Sequence, residues 1–401
     1  MKIGILTQPL HRNYGGILQA FALQSVLEQM GHQVLFVDRQ RSTETPLFTK
    51  ILSMGKRLVI RILLGKSIAI RVWLTNKELT IISQHTNRFI KDNIRMTDKI
   101  DSFVKFSLLK KYGFEAYIVG SDQVWRPIYS PCITNYFLDF LDKEDKVKRI
   151  AYAASFGVDN WEFSSKQTAQ CASLAKSFDV ISVREGSALK LCKEYLGVDA
   201  VHVLDPTMLL TKEDYIKLVE KVNIPKNKGT LLTYVLDKSS DNKEIMQKVA
   251  NDLDLIPFSV MPKHTFEEAG KKHFDDCIFP PVTEWIRGFM NADYVVTDSF
   301  HGTAFSIIFN KPFLSIGNAG RGMTRFTSLL KMFGLEERLI LSSDELTSKR
   351  INAPINFTRV NQIWENERQQ AYKFLYKALG TERGSPINGL LPKSDKSLNK
   401  K

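Results

Sequence analysis

A histidine, an arginine and an aspartate in this chain each sit just past a short apolar run, where side chains can meet an anion and move a proton. His301 lies in TDSFHGTAFSIIFNKPF. Tyr294 to Val296 read as a buried strand, and Thr303 to Phe309 as a compact apolar helix. The turn from Asp298 to Gly302 thus falls where the carboxyl end of a strand meets the amino end of a helix. Backbone N–H groups there favour anions. A histidine at that point can give or take a proton beside an anionic substrate; it can also simply cap the helix or lie satisfied in the core. Arg184 closes the apolar run Val180 to Val183, where its guanidinium can fork onto a carboxylate or phosphate or only pair with Glu185 or another acid. Asp122 follows Ala116 to Val119 and faces the same kind of strand exit. There it can bind a sugar hydroxyl, act as a base, or do no more than cap a turn. Asn13, Tyr14, Gly15 and Gly16 follow the strand Lys2 to Thr7. They either let substrate approach the backbone or only let helix meet strand.

The elements that must position these residues alternate strand and helix. The first half runs through strands at Lys2–Thr7, Val34–Val37, 116–119, 149–154, 180–183 and 201–204. After a helix at 214–221 the pattern starts again, with strands at 230–236, 255–260, 294–296 and 313–316. Such alternation predicts an α/β chain of parallel sheets. Two wound halves predict two Rossmann-like domains with a ligand cleft between them. The expected boundaries are 1–205, carrying a basic helical insertion at about 45–110, then 206–345, a helical segment 346–380 and a polar, basic tail 381–401 expected to be disordered. The first glycine loop is not spaced as GxGxxG, so a dinucleotide does not follow.

The 401 residues are 43% hydrophobic and 25% charged, with a formal charge of +13. That balance suits an anionic substrate, an anionic membrane or nucleic acid. Nucleic acid is the weakest of these, because no zinc-finger spacing, aromatic RNP strand or basic heptad helix is present. No apolar run approaches membrane-spanning length. The opening MKIGILTQPL reads as a first strand and not as a signal peptide, so a cytoplasmic protein is expected. The four cysteines are scattered without a CxxC pair, which argues against a zinc site or a disulfide framework. From Thr45 to Lys77 there are Lys and Arg but no Asp or Glu, interleaved with apolar residues. Such a stretch can lie on an anionic bilayer or pack its apolar stripe on the domain.

NYGGILQAFALQ near the start, VGSDQVW at 119–125, AYAASFG at 151–157, ISVRE at 181–185, VLDPTML at 203–209 and TDSFHGTAFSIIFNKPF at 297–313 together resemble the polysaccharide pyruvyl transferase family. The resemblance covers roughly residues 1–335. It implies two facing Rossmann-like domains like those of GT-B glycosyltransferases. It also implies transfer of the pyruvyl group of phosphoenolpyruvate onto two hydroxyls of a sugar or lipid-linked oligosaccharide in a capsule, exopolysaccharide or cell-wall precursor, with release of phosphate. Phosphoenolpyruvate is then a donor substrate, and neither a cofactor nor a metal is expected. By this resemblance Arg184 meets the donor's anionic groups; Arg321, which opens a helix in the second half, is a further substrate-binding candidate from its place in the chain. The amides of Gly302 and Thr303 meet the phosphate. His301 supplies a proton, and Asp298 orients it. Asp122 and Asn13 face the sugar, with Asp122 as the acceptor's base; Tyr14 and Gly15 stay substrate-binding candidates from their place in the loop. Two other readings stay open: a nucleotide-sugar glycosyltransferase of the same fold class, and a non-catalytic sugar-binding paralogue.

Overall fold

The computed structural model describes residues 1–41, 74–222, 224–226, 228–269, 273–317 and 322–380. Most of the basic stretch, the polar tail and Arg321 lie outside these residues. The described chain builds two all-parallel sheets. The first has the order β2-β1-β3-β4-β5-β6, from Lys2–Leu6 (β1), Gln33–Phe36 (β2), Ala116–Val119 (β3), Lys148–Ala154 (β4), Val180–Val183 (β5) and Val201–His202 (β6). The second has the order β11-β10-β9-β7-β8, from Leu231–Tyr234 (β7), Pro257–Phe258 (β8), Tyr294–Thr297 (β9), Phe313–Ile316 (β10) and Leu339–Ile340 (β11). The central strands β3 and β9 are buried along their whole length. This is why they read as unbroken apolar runs and not as alternating ones.

In each sheet the winding reverses once, between β1 and β3 in the first and between β7 and β9 in the second. A reversal leaves a crevice at the carboxyl ends of its two strands. The loops after these four strands hold most of the candidate residues, and they face one another.

Three packing features hold the crevices together. The helix Tyr14–Gln29 (α1) buries Tyr14 against the second half, stacked on Trp285 at 5.8 Å, with its hydroxyl donating to the Pro280 carbonyl at 2.8 Å. One apolar cluster continues from Ile17 and Leu23 through Trp285 and Phe305 to Leu375. Full burial of an aromatic such as Trp285 stabilises by about 1.5–3 kcal/mol. Finally, the long helix Phe357–Leu379 (α2) returns to the first half. Lys148 Nζ donates to the Ala378 carbonyl at 3.2 Å and Tyr152 packs on Phe374 at 6.1 Å, while Trp364 Nε1 and Arg368 Nε donate to the Met208 and Leu209 carbonyls at 2.7 and 2.8 Å, just past the end of that half. The expected separate segment 346–380 is thus packed in large part on the first sheet's layer.

Candidate functional site

The four facing loops enclose a cleft of about 330 Å³. From the first half, Gln8, Asn13, Asp122, Gln123 and Tyr129 reach it; from the second half, Asp298, His301 and Arg325. A larger open groove of about 490 Å³ lies near Lys146 and Arg149, at the amino ends of β4 and β5. Parallel sheets do not offer ligand crevices at that end, so the cleft is the candidate site.

The cleft is built over a buried charge network centred on Asp205, in the turn after β6. Asp205 Oδ2 accepts from Arg184 NH1 at 2.9 Å and from Ser121 Oγ at 3.1 Å. Its Oδ1 accepts from the Thr207 N–H at 2.9 Å and the Thr207 hydroxyl at 2.7 Å. His301 Nε2 stands 3.6 Å from Oδ2. Burial opposes the charged carboxylate, but His301 and Arg184 outweigh it and hold Asp205 well below the usual carboxylate range. With Nε2 turned to Asp205, Nδ1 is the ring nitrogen left to exchange a proton with substrate.

Nδ1 lies against α1. A Cβ built on Gly15 would stand 2.0 Å from it, so only glycine lets the two halves close around the imidazole. Gly15→Ala must therefore push the ring aside. Because a shift of about 1 Å at a reacting group can cost on the order of 10²-fold, turnover should fall by that amount. Alanine's better helix propensity, roughly 0.5–1 kcal/mol over glycine, opposes part of the packing cost. The thermal midpoint should then move little. A variant with wild-type turnover would show that the imidazole's position does not matter.

Two arginines flank Phe300. The Arg184 guanidinium lies 4.7 Å from the ring centroid and that of Arg325 lies 6.0 Å away. Arg184 is 4% exposed and committed to Asp205, with Asp122 a further 3.6 Å ion-pair partner. Arg325 instead lines the cleft. Its burial and the neighbouring Arg184 charge bring it down to about 10, still a cation at neutral pH. The buried Glu185 does not pair with Arg184 through a hydrogen bond. Its Oε1 accepts from the Ser155 hydroxyl and the Phe156 and Gly157 amides, at 2.8 to 3.0 Å, and so pins the loop after β4.

Several predicted roles change in the structure. The helix expected at Thr303 starts at Phe300, because Ser299 caps it by accepting the Gly302 N–H. That N–H is thereby used, and the Thr303 N–H donates to the Ser299 carbonyl at 3.0 Å. Neither amide is open to a phosphate. The first-turn amides with no partner among the described residues are those of Phe300 and His301. Gly302 is a packing glycine: a Cβ there would stand 2.2 Å from Thr297 Oγ1. Tyr14 is an anchor between the halves and not a sugar contact, because its ring is buried and its hydroxyl used. Asp298 accepts the Leu236 and Asp237 amides at 2.7 and 2.8 Å, tying the loop after β7 to that after β9; the carboxylate at His301 Nε2 is Asp205. Arg184 holds that carboxylate and does not reach the cleft.

Asp122 and Asn13 do line the cleft. Asp122 adopts φ 66°, a left-handed conformation that costs a side-chain-bearing residue roughly 1–2 kcal/mol. Strain of this kind gathers at functional loops. The residues missed from sequence are Asp205 and Arg325. Asp205 stands in the quoted VLDPTML, where Asp-Pro-Thr reads as a capped turn. Among the described residues no group of three or more His, Cys, Asp or Glu could hold a metal ion, and no helix is long and apolar enough to cross a membrane.

The fold is similar to that of the S. aureus MnaA–UDP co-structure, at 11% identity and a TM-score of 0.50, over 96% of this chain and 98% of that one. UDP-GlcNAc 2-epimerase from Neisseria meningitidis bound to UDP-GlcNAc aligns at 12% identity and 0.49, over 95% and 100%. A glycosyltransferase from Rickettsia africae aligns at 11% and 0.48, over 95% and 99%. Together with the two facing parallel sheets, the likeness to the S. aureus structure defines a GT-B fold. No curated protein sequence matches the chain significantly. The family model for polysaccharide pyruvyl transferase matches residues 13–320, a span that holds the whole Asp205–His301–Arg184 network, and the chain belongs to that family of polysaccharide-modifying transferases.

Proposed function

We propose that the cleft transfers the pyruvyl group of phosphoenolpyruvate onto two hydroxyls of a sugar in a cell-surface glycan precursor. The observation that carries this reading is the cleft's pairing of a cation, Arg325, with a carboxylate-held imidazole, His301, the imidazole and its carboxylate lying inside the family-matched span. The donor's methylene carbon takes a proton and becomes a methyl group. One sugar hydroxyl bonds to the adjacent carbon, the carbon–oxygen bond to phosphate breaks, and a second hydroxyl closes the cyclic ketal. Two hydroxyl protons are released and one is consumed; the other leaves on phosphate. His301 Nδ1 is the proton donor in this reading, Arg325 and the amides of Phe300 and His301 meet the donor's anionic groups, and Asp122 takes a hydroxyl proton.

Phosphate release from phosphoenolpyruvate, measured with nucleotide-linked and lipid-linked sugars, tests the reaction. Donor binding by calorimetry tests the site. Loss of a charged hydrogen-bond partner weakens binding by roughly 10–100-fold, so Arg325→Gln should raise the donor's Kd by that factor. An unchanged Kd would remove Arg325 from the donor site. Release of a nucleoside diphosphate from a nucleotide sugar, with no binding of phosphoenolpyruvate, would instead identify a glycosyltransferase.

A further inference from the structure

We infer that Tyr129 is the stacking platform for the acceptor's pyranose ring, at the first-half side of the cleft mouth. The assignment of a sugar to this cleft rests on the function proposed above.

Tyr129 lines the cleft yet is 39% exposed, in contrast to the buried aromatics around it. One face of its ring is covered by the Arg126 guanidinium, 4.9 Å from the centroid. That guanidinium is itself fixed: Nε and NH2 donate to the two Glu162 oxygens at 2.9 Å each, and the side chain is almost wholly buried. The backbone is held as well. Arg41 NH2 donates to the carbonyls of Ile128 at 3.2 Å and Tyr129 at 2.7 Å. Ser130 Oγ donates to the Val124 carbonyl at 2.7 Å and accepts from Gln8 Nε2, another cleft residue, at 3.2 Å. A large ring at a polar opening is thus backed on one face and immobilised from three sides.

A rigid aromatic face loses little conformational freedom on binding. The C–H face of a pyranose is its natural complement, because those hydrogens are polarised positive and the ring face is negative. The hydroxyls at the sugar's edge are then left for the other polar groups of the cleft, the buried Asp122, the half-buried Gln123 and the exposed Asn13. The platform therefore selects for the ring, and these polar groups for the hydroxyls.

The test is saturation-transfer NMR on the full chain with methyl glucoside, methyl galactoside, methyl mannoside and uridine as probes. Wild type is compared with Tyr129→Phe and Tyr129→Ala. Transfer to the ring C–H protons of at least one glycoside is expected, kept in the phenylalanine variant and reduced about tenfold in the alanine variant. Donor affinity by calorimetry should be the same in all three. No transfer to any glycoside in the wild type, or equal transfer in all three proteins, overturns the assignment. Transfer to uridine alone overturns it in favour of a nucleobase. Loss of donor binding in the alanine variant does so too, because it shows a collapsed loop. Glycoside transfer that depends on Tyr129 in a protein that binds no phosphoenolpyruvate would sink the proposed reaction and keep the platform.

Discussion

His301→Ala should lower turnover by roughly 10²–10⁴-fold, the usual worth of a positioned proton donor, while leaving donor binding nearly intact. The imidazole faces the cleft next to Gly15 and is held from behind by Asp205. Its removal does not orphan Asp205, which keeps Arg184, Ser121 and Thr207 as donors. Loss of one polar partner among several costs about 1 kcal/mol, so the protein should stay folded. On the proposed reaction the loss belongs in kcat, because Arg325, the proposed donor ligand, is left in place. Turnover within a few-fold of wild type would remove His301 from the chemistry. A loss confined to donor affinity would make it an anion ligand only.

The fold was legible because both sheets are parallel and buried. Runs such as Tyr294 to Val296 and Ala116 to Val119 carry the strand signal on both faces, and the helices between them have room for only one topology class. The direction of chemistry was legible for the same reason: residues past a strand's carboxyl end must face a crevice. His301, Asp122 and Asn13 all reach the cleft.

Sequence position said where a loop points but not which partner waits there. Arg184 occupies a strand exit as expected, but a buried carboxylate 21 residues further on, past the neighbouring strand, claims it first. Gly302 and Thr303 were misplaced because the Ser299 cap starts the helix one turn early and uses their amides. Gly15 was read as room for substrate, and it is room for a histidine from the other half. The Gly15 outcome depends on a contact between halves and the Arg184 outcome on a contact between neighbouring strand exits, neither of which a local pattern encodes. Asp205 illustrates the point. In sequence it is an aspartate before a proline, with the signature of a turn. In the structure the same carboxylate accepts from that turn and also meets the Arg184 guanidinium and the His301 imidazole, one from each half.

Asp205→Asn should therefore be costly in two separable ways. Removing one partner of a buried charge network costs about 3–5 kcal/mol, because Arg184 then keeps only its longer contact to Asp122. Since His301 and Arg184 hold the folded-state carboxyl below its unfolded value, the stabilisation is fully present above the unfolded pKa of about 3.9. It is lost as pH falls below that value toward the lower folded one. Denaturant unfolding from pH 7 to pH 3 should show a wide gap between wild type and variant down to about pH 4 and a narrowing gap below it. A constant gap would mean that shape and not charge is what Asp205 contributes. The second cost is catalytic. If Asp205 and His301 act as one unit, Asp205→Asn should lower kcat nearly as much as His301→Ala, and the double variant should lose no more than the worse of the two. Additive losses would instead mean that the carboxylate and the imidazole work at separate steps, with Asp205 acting through Arg184 alone.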